Sequence, residues 1–479
     1  MDKRRYALVC DFYEMTMGNG YLLTGFSEKI TYFDVFFRKV PDGGGFAIAA
    51  GLEQVVDYIE HLRFDQEEIE FLRAQEIFSE EFLQYLTEFR FTGDIYAVPE
   101  GTPVFPNQPI MVIRARAIEA QLIETFVLLT INYQSLIATK TNRIVRAAKG
   151  RPVIEFGSRR AHGADTAVLG ARAAYIAGCS GTACVMAGKQ YHVPVSGTMA
   201  HSWVQMFDSE CEAFVTYCRL YPKNVTLLVD TYDVLKSGVP NAIRAFKEVL
   251  EPLGIKQCAI RLDSGDMTYL SKKARAMLDD AGWHECKIIA SNSLDEYIID
   301  DLISQGARID AFGVGERLIT AKSDPVFGGV YKLAAIEDEH GTIIPKIKIS
   351  ENTAKITTPH FKKLYRLFEN DTGKAIADLL CTYDEIVDDT KALELFDPDY
   401  TWKRKKIKNF TARELHVPIF LQGKKVYKQP SIEEIRAYCQ TEVDHLWEEV
   451  KRFENPHRYY VDLSQKLWDI KQQMLKLKL

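Results

Sequence analysis

At 479 residues, with 47% hydrophobic and 26% charged side chains, the chain has the balance of a globular protein and room for two to four units of about 150 residues. Nine cysteines without a C-x-x-C pair point to free buried thiols rather than disulfides or a zinc site, and the net charge of −6 excludes broad contact with a nucleic-acid backbone. No apolar run approaches the roughly 20 residues that span a bilayer, and the charged start Met1-Asp2-Lys3-Arg4-Arg5 precedes too short an apolar stretch for a signal peptide, so a cytoplasmic protein with no membrane partner is expected.

In chain order, the first predicted element is a β-rich run around Thr31 to Arg38, broken by Asp42-Gly43-Gly44-Gly45. A helical region follows from Leu52 to about Phe91, with Val55, Val56, Tyr58, Ile59 and Leu62 at three-to-four spacing and many glutamates between them. Short strands at Ile95 to Val98 and Ile110 to Ile113 come next, and a long helical pattern runs from Glu119 to Arg146. From about 150 to 340, β-type runs alternate with helical ones at Asn241 to Leu253, Tyr269 to Ala281 and Asp295 to Gln305, the pattern of βα units around a parallel sheet. Strand-like Ile347 to Ser350 and Lys363 to Leu367 follow, then a basic run at Lys403 to Lys408 read as a solvated connector. A C-terminal helix opens with Ser431 and Glu434 at capping-box spacing.

Six β-type runs end abruptly in polar or glycine-rich residues. They are Val153 to Phe156 into Gly157-Ser158-Arg159-Arg160, Tyr191 to Val195 into Ser196 to Ser202, and Leu227 to Val229 into Asp230-Thr231-Tyr232-Asp233. The others are Ala259 to Leu262 into Asp263-Ser264-Gly265-Asp266, Ile288 to Ala290 into Ser291-Asn292-Ser293, and Ala311-Phe312 into Gly313-Val314-Gly315. A parallel barrel builds its active site from such strand ends, so the expected fold is α/β, an irregular (β/α) barrel of parallel strands. A doubly wound open sheet would also alternate. The expected layout is an N-terminal α+β domain over 1–140, the barrel over 141–345, and a C-terminal extension over 346–479 packing on the N-terminal domain.

Carboxylates at Asp230, Asp233, Asp263 and Asp266 can hold magnesium or ribose hydroxyls, and arginines at Arg159, Arg160 and Arg261 can grip carboxylate or phosphate with two donors. Gly313 and Gly315 let backbone amides approach an anion. Taken singly, Asp263-Ser264-Gly265-Asp266 reads first as a turn with a helix cap and Phe156 and Tyr13 as packing, while His201 divides evenly between a capping or core residue and a functional one. A Schiff-base aldolase would need a desolvated lysine at a strand end, and Lys140 and Lys189 are poorly placed for that role.

Taken together, several motifs in one order resemble the nicotinate phosphoribosyltransferase family: Asp11-Phe12-Tyr13, Phe36-Phe37-Arg38, Glu155 to Arg160, Gly197 to Ser202, Asp230 to Asp233, Arg261 to Asp266, Ser291-Asn292 and Gly328 to Leu333. The resemblance implies transfer of phosphoribose from 5-phosphoribosyl 1-pyrophosphate to nicotinate in NAD salvage, with magnesium and with ATP hydrolysis coupled through a phosphohistidine. By resemblance His201 is that histidine, with Asp230 and Asp263 as its catalytic and metal-holding partners. Tyr13, Phe156, Thr198 and Arg261 are implied at nicotinate, Tyr13 reaching across a homodimer. Arg159, Arg160, Ser264, Gly265, Ser291, Asn292, Gly313, Gly315 and Glu316 are implied at the phosphoribosyl substrate. Two departures stand out. Glu316 replaces a threonine frequent in the family, and Ala183 stands where related nicotinamide-specific enzymes carry an aspartate, which favours the acid over the amide. The rival readings are a nicotinamide or quinolinate transferase, a non-catalytic phosphate sensor on the same fold, and RNA binding through the basic run.

Overall fold

Local pairing divides the chain into two units, residues 1–136 with 326–479, and residues 137–325. The computed structural model describes residues 6–477, so the charged residues Met1 to Arg5 lie outside the described part.

The second unit is α/β. Its sheet has six parallel strands in the order Gly181–Thr182, Val153–Glu155, Ala311–Val314, Lys287–Ser291, Ala259–Leu262 and Thr226–Leu228. This is the chain order wrapped round on itself, because the last strand pairs with the first. One further parallel bridge, Thr182 to Val195, extends the series, and among the described residues no ladder joins Val195 to Thr226–Leu228. Five of the six expected runs form strands. The exception is Tyr191 to Val195: Val185–Tyr191 is a helix ended by His192 at φ 59°, and only Val195 is bridged. Pro194 has no N–H to offer a ladder, and its carbonyl instead accepts from the Thr182 amide at 2.9 Å.

Helices between the strands start on side-chain caps. Asp266 accepts from the Tyr269 amide and opens Met267–Asp280, and Asp295 accepts from Ile298 and opens Glu296–Ser304. The expected helix at Asn241 to Leu253 starts earlier: Val234–Gly238 and Phe246–Leu250 are π-helical turns flanking Val239–Ala245. Asp233 caps the first of these turns. Lys140 is buried but tied to Glu296, 2.9 Å from Nζ, and Ser323 at 2.7 Å, while Lys189 is exposed, so neither offers the unpaired, desolvated amine a Schiff base needs.

In the first unit, a seven-stranded sheet runs Ile343–Pro345, Val330–Glu337, Ile30–Phe36, Met111–Arg116, Asp94–Ala97, Val417–Leu421 and Lys424–Lys425. Val330–Glu337 lies antiparallel to Ile30–Phe36, a pairing of segments three hundred residues apart. The helical region after residue 51 is three helices, Leu52–His61, Gln66–Arg73 and Glu80–Thr87, and its periodic residues Val55, Val56, Tyr58, Ile59 and Leu62 are all buried. Ile347 to Ser350 is not a strand; the strand falls earlier, at Ile343–Pro345. The basic run is not a connector either. Arg404–Ile407 pairs with Leu393–Phe396, Arg404 meets Glu394, and Ile407 enters an apolar cluster with Leu379 and Phe410.

The Ser431 to Glu434 capping box forms at the start of Ile432–Asp444. Helical residues Ala117–Ala147 are long and apolar enough to cross a membrane by length and composition, but 72% of that apolar window is buried inside the protein.

Candidate active site

The polar groups at the carboxyl ends of the parallel strands gather around Arg261. Side chains alternate along a strand, so Arg261 projects opposite to its neighbours Ile260 and Leu262, which are fully buried. Its Nε donates to Ser291 Oγ, its Nη1 to Thr198 Oγ1 and its Nη2 to Asp263 Oδ1, each at 2.8 Å. Nη1 also lies 3.4 Å from the Met199 carbonyl. Ser291 Oγ donates in turn to the same Asp263 oxygen. Burial works against the Asp263 charge, but the Ser291 hydrogen bond, the Arg261 fork and nearby His201 prevail and hold its carboxyl below the usual carboxylate range.

His201 is the first residue of the short helix His201–Gln205. Its Nδ1 sits 3.1 Å from Thr231 Oγ1, and its Nε2 faces Asp263 Oδ2 at 4.0 Å. Imidazole, carboxylate and guanidinium thus form one continuous series of contacts. Beneath them Asp230 is buried; its Oδ2 accepts from the Asp263 amide at 3.0 Å and from Ser264 Oγ at 2.6 Å. Its other oxygen, Oδ1, is buried without a hydrogen-bond partner.

Phe156 stands beside Arg261. Its ring centroid lies 5.6 Å from the Arg261 guanidinium, and its amide donates to the Val314 carbonyl at 2.8 Å. Gly313 is required by this ring, since a Cβ there would stand 2.5 Å from it. Gly265 turns the loop after Asp263 at φ 82°, a left-handed conformation that glycine adopts without strain. Asn292 and Ser293 hold positive φ of 85° and 50° at the end of the neighbouring strand, a backbone strain that clusters at functional sites.

The four strand-end carboxylates divide by task. Asp233 and Asp266 cap helices, whereas Asp230 and Asp263 belong to the Arg261 cluster. Arg159 and Arg160 occupy the exposed turn Ser158–Arg160. Glu316, next to Gly315, bonds Lys322 at 2.8 Å and lies 3.9 Å from Arg160, and chiefly the Lys322 hydrogen bond holds its carboxyl below the usual range. In this arrangement Glu316 is a partner for cations, a carboxylate that would repel a phosphate. Tyr13 belongs to the first unit, on the helix Phe12–Leu23, and is 44% exposed. Burial, then the charge and hydrogen bond of Glu124, push its phenol up.

Three residues in the site carried no assigned role in the sequence. Glu155 is buried and accepts from Thr182 Oγ1 at 2.6 Å and from the Gly157 amide, tying two strand ends together. Thr231 fixes His201, and Thr182 relays Glu155 to the Cys184 amide at 2.9 Å. A lone acid inside the apolar run Val153-Ile154-Glu155-Phe156 was the available signal for the first.

Comparison with known proteins identifies the family of the chain. Profiles of the nicotinate phosphoribosyltransferase N-terminal domain, family and C-terminal domain match residues 8–132, 152–372 and 361–471. The chain is 46% identical over 469 residues to nicotinate phosphoribosyltransferase of Bacillus subtilis, covering 98% of this chain and 95% of that one. It is 33% identical to the Dictyostelium discoideum protein of the same name, covering 96% and 87% of the two chains. The crystal structure of human nicotinic acid phosphoribosyltransferase superposes with a TM-score of 0.84 at 27% identity, covering 98% of this chain and all of the other. This chain is a member of the nicotinate phosphoribosyltransferase family.

Proposed function

We propose that this protein makes nicotinate mononucleotide and pyrophosphate from nicotinate and 5-phosphoribosyl 1-pyrophosphate, in NAD salvage, on an irregular barrel of parallel strands. The observation that carries the reading is the Arg261 cluster, which brings a guanidinium, an aromatic face and an imidazole together at neighbouring strand ends. Phe156 offers a face on which an electron-poor pyridine stacks, and Arg261 offers planar donors for its carboxylate. Thr198, bonded to Arg261 Nη1, stands ready to adjust that fork.

The ring nitrogen carries its own lone pair and forms the bond to the anomeric carbon while the bond to the pyrophosphate oxygen breaks, so no general base is needed. The sugar carbon passes through an oxocarbenium-like state, and fixed donors that hold ribose and pyrophosphate in line lower its barrier. Ser264, Gly265, Ser291, Asn292, Gly313 and Gly315 supply such donors along three neighbouring strand ends, and Arg159 and Arg160 provide exposed positive charge for the phosphates.

Magnesium prefers one or two carboxylates together with substrate phosphates and water. The residues fit such an ion: Asp230 has an unpartnered buried oxygen and Asp263 is its neighbour, whereas among the described residues no group of three or more His, Cys, Asp or Glu side chains could hold a metal unaided. Bound there, magnesium would neutralise charge on the leaving pyrophosphate.

ATP is the proposed co-substrate. With Nδ1 engaged by Thr231, Nε2 is the His201 nitrogen left to form a bond to the γ-phosphorus of ATP as the bond to ADP breaks. Exposed Tyr13 is assigned to the nicotinate site of the second subunit of a homodimer, and the cytoplasm to the enzyme as its compartment. Ala183, exposed at the end of Gly181–Thr182, offers no acceptor for an amide and no charge against a carboxylate.

The test is turnover of purified protein with nicotinate, nicotinamide and quinolinate, with and without ATP, read as pyrophosphate and mononucleotide formed. Nicotinate should be the preferred pyridine, with ATP raising its rate. Absence of pyrophosphate with all three would leave a ligand sensor instead.

A further inference from the structure

Arg261 already has a carboxylate partner. The edge of the guanidinium defined by Nε and Nη2 is closed by Ser291 Oγ and Asp263 Oδ1, and these two groups are bonded to each other. On the other edge, Nη1 is held by Thr198 Oγ1 at 2.8 Å, with the Met199 carbonyl at 3.4 Å. A second carboxylate can therefore reach a planar pair of donors only at the Nη1 and Nη2 edge, beside the Asp263 charge. The two anions would share one cation at hydrogen-bonding range, where like charges oppose each other strongly in a partly buried site. Asp230 adds a further buried carboxyl on the Asp263 side, bonded to the Asp263 amide, and the His201 imidazole faces Asp263 Oδ2 at 4.0 Å.

We infer that Asp263 is an internal competitor for the carboxylate of the pyridine substrate: it pairs with Arg261 in the free protein and thereby weakens binding of an anionic ring. The inference rests on the proposed role of Arg261 as the nicotinate anchor. Asp263 sits in a hydrogen-bonded seat made by Ser291 and by its own backbone tie to Asp230, so its pairing is built in and is not the accident of a mobile surface chain. Its charge is the specificity-relevant quantity. A neutral pyridine amide meets the same hydrogen-bonding groups without the repulsion, so removing that charge should change affinity for the acid far more than for the amide.

Calorimetric titration of the full-length protein with nicotinate and, separately, nicotinamide, in the absence of ATP and the phosphoribosyl donor, tests this. Asp263→Asn should bind nicotinate about tenfold or more tighter than wild type, equivalent to about 1.4 kcal/mol, with nicotinamide affinity unchanged. Asp263→Glu, which keeps the charge, should not gain affinity. Ser291→Ala, which loosens Asp263 on the guanidinium, should give a smaller gain and keeps the test open if Asp263→Asn does not fold. Arg261→Ala should weaken nicotinate in every background. Equal or weaker nicotinate binding by both Asp263→Asn and Ser291→Ala, with Arg261→Ala still harmful, overturns the competitor role and leaves the anchor standing. An Arg261→Ala protein that binds nicotinate normally removes the anchor itself and the inference with it.

Discussion

Arg261 and Asp263, separated in the chain only by buried Leu262, meet at 2.8 Å, and the Asp263 carboxylate in turn faces His201 at 4.0 Å. Because strand residues two apart project to the same side, a single short segment supplies both the proposed substrate anchor and its counter-charge. Lysine cannot reproduce the three divergent hydrogen bonds of that guanidinium. Arg261→Lys should therefore lower kcat/KM for nicotinate by about 100-fold or more. Steady-state kinetics decide this, and a change below about threefold contradicts the anchoring role.

Gly313 packs against the aromatic wall. A Cβ there meets the Phe156 ring at 2.5 Å, so Gly313→Ala must displace the ring or the strand. Forced packing of this kind costs about 1–3 kcal/mol. Denaturant unfolding should register that loss, and KM for nicotinate should rise. Adding Phe156→Leu should restore stability while leaving nicotinate binding weak, since the ring that stacks is gone.

The ATP effect should depend on one imidazole. His201→Ala should abolish stimulation by ATP while retaining slow ATP-independent turnover. Thr231→Val, which removes the Nδ1 partner but keeps the ring, should leave a reduced stimulation. The readout is the ratio of pyrophosphate formation with and without ATP, and full stimulation in His201→Ala contradicts the assignment.

Strand positions and their polar ends were legible because apolar runs such as Ala259 to Leu262 stop at Asp263 and Ser264, a local signal. Strand pairing was not. The match of Ile30–Phe36 to Val330–Glu337 depends on contacts that no short window contains. Tyr191 to Val195 read as a strand because its alternation is too short to separate from a helix end followed by proline. Arg404–Ile407 looked like a solvated connector because three long basic side chains obscure the single buried Ile407 that fixes its face. In the site, Arg261, Asp263, Ser291 and Thr198 were recognisable by residue type and motif. Thr231 was not, since a threonine beside an aspartate carries no distinctive chemistry until His201 is brought to it by the fold.

Glu14, in the same helix as Tyr13, should make stability depend on pH. It is fully buried, and burial pushes its carboxyl up from 4.5 to about 7, despite hydrogen bonds from Thr125 and the Asp11 amide. Its contribution to stability is complete below the unfolded value and is lost as pH rises through about 7. Wild type should accordingly lose up to about 3 kcal/mol from this group between about pH 5 and about pH 8. Glu14→Gln, neutral throughout, should flatten that part of the profile in denaturant unfolding followed across pH; an unchanged slope would show that Glu14 titrates normally.

A crystal structure of the protein with nicotinate bound tests the assembled site most directly. The pyridine ring should stack on Phe156 with its carboxylate on Arg261 and its ring nitrogen directed toward the loops after Leu262 and Ser291. Nicotinate bound elsewhere, with Arg261 and Asp263 still paired as they are in the free protein, would contradict the assignment.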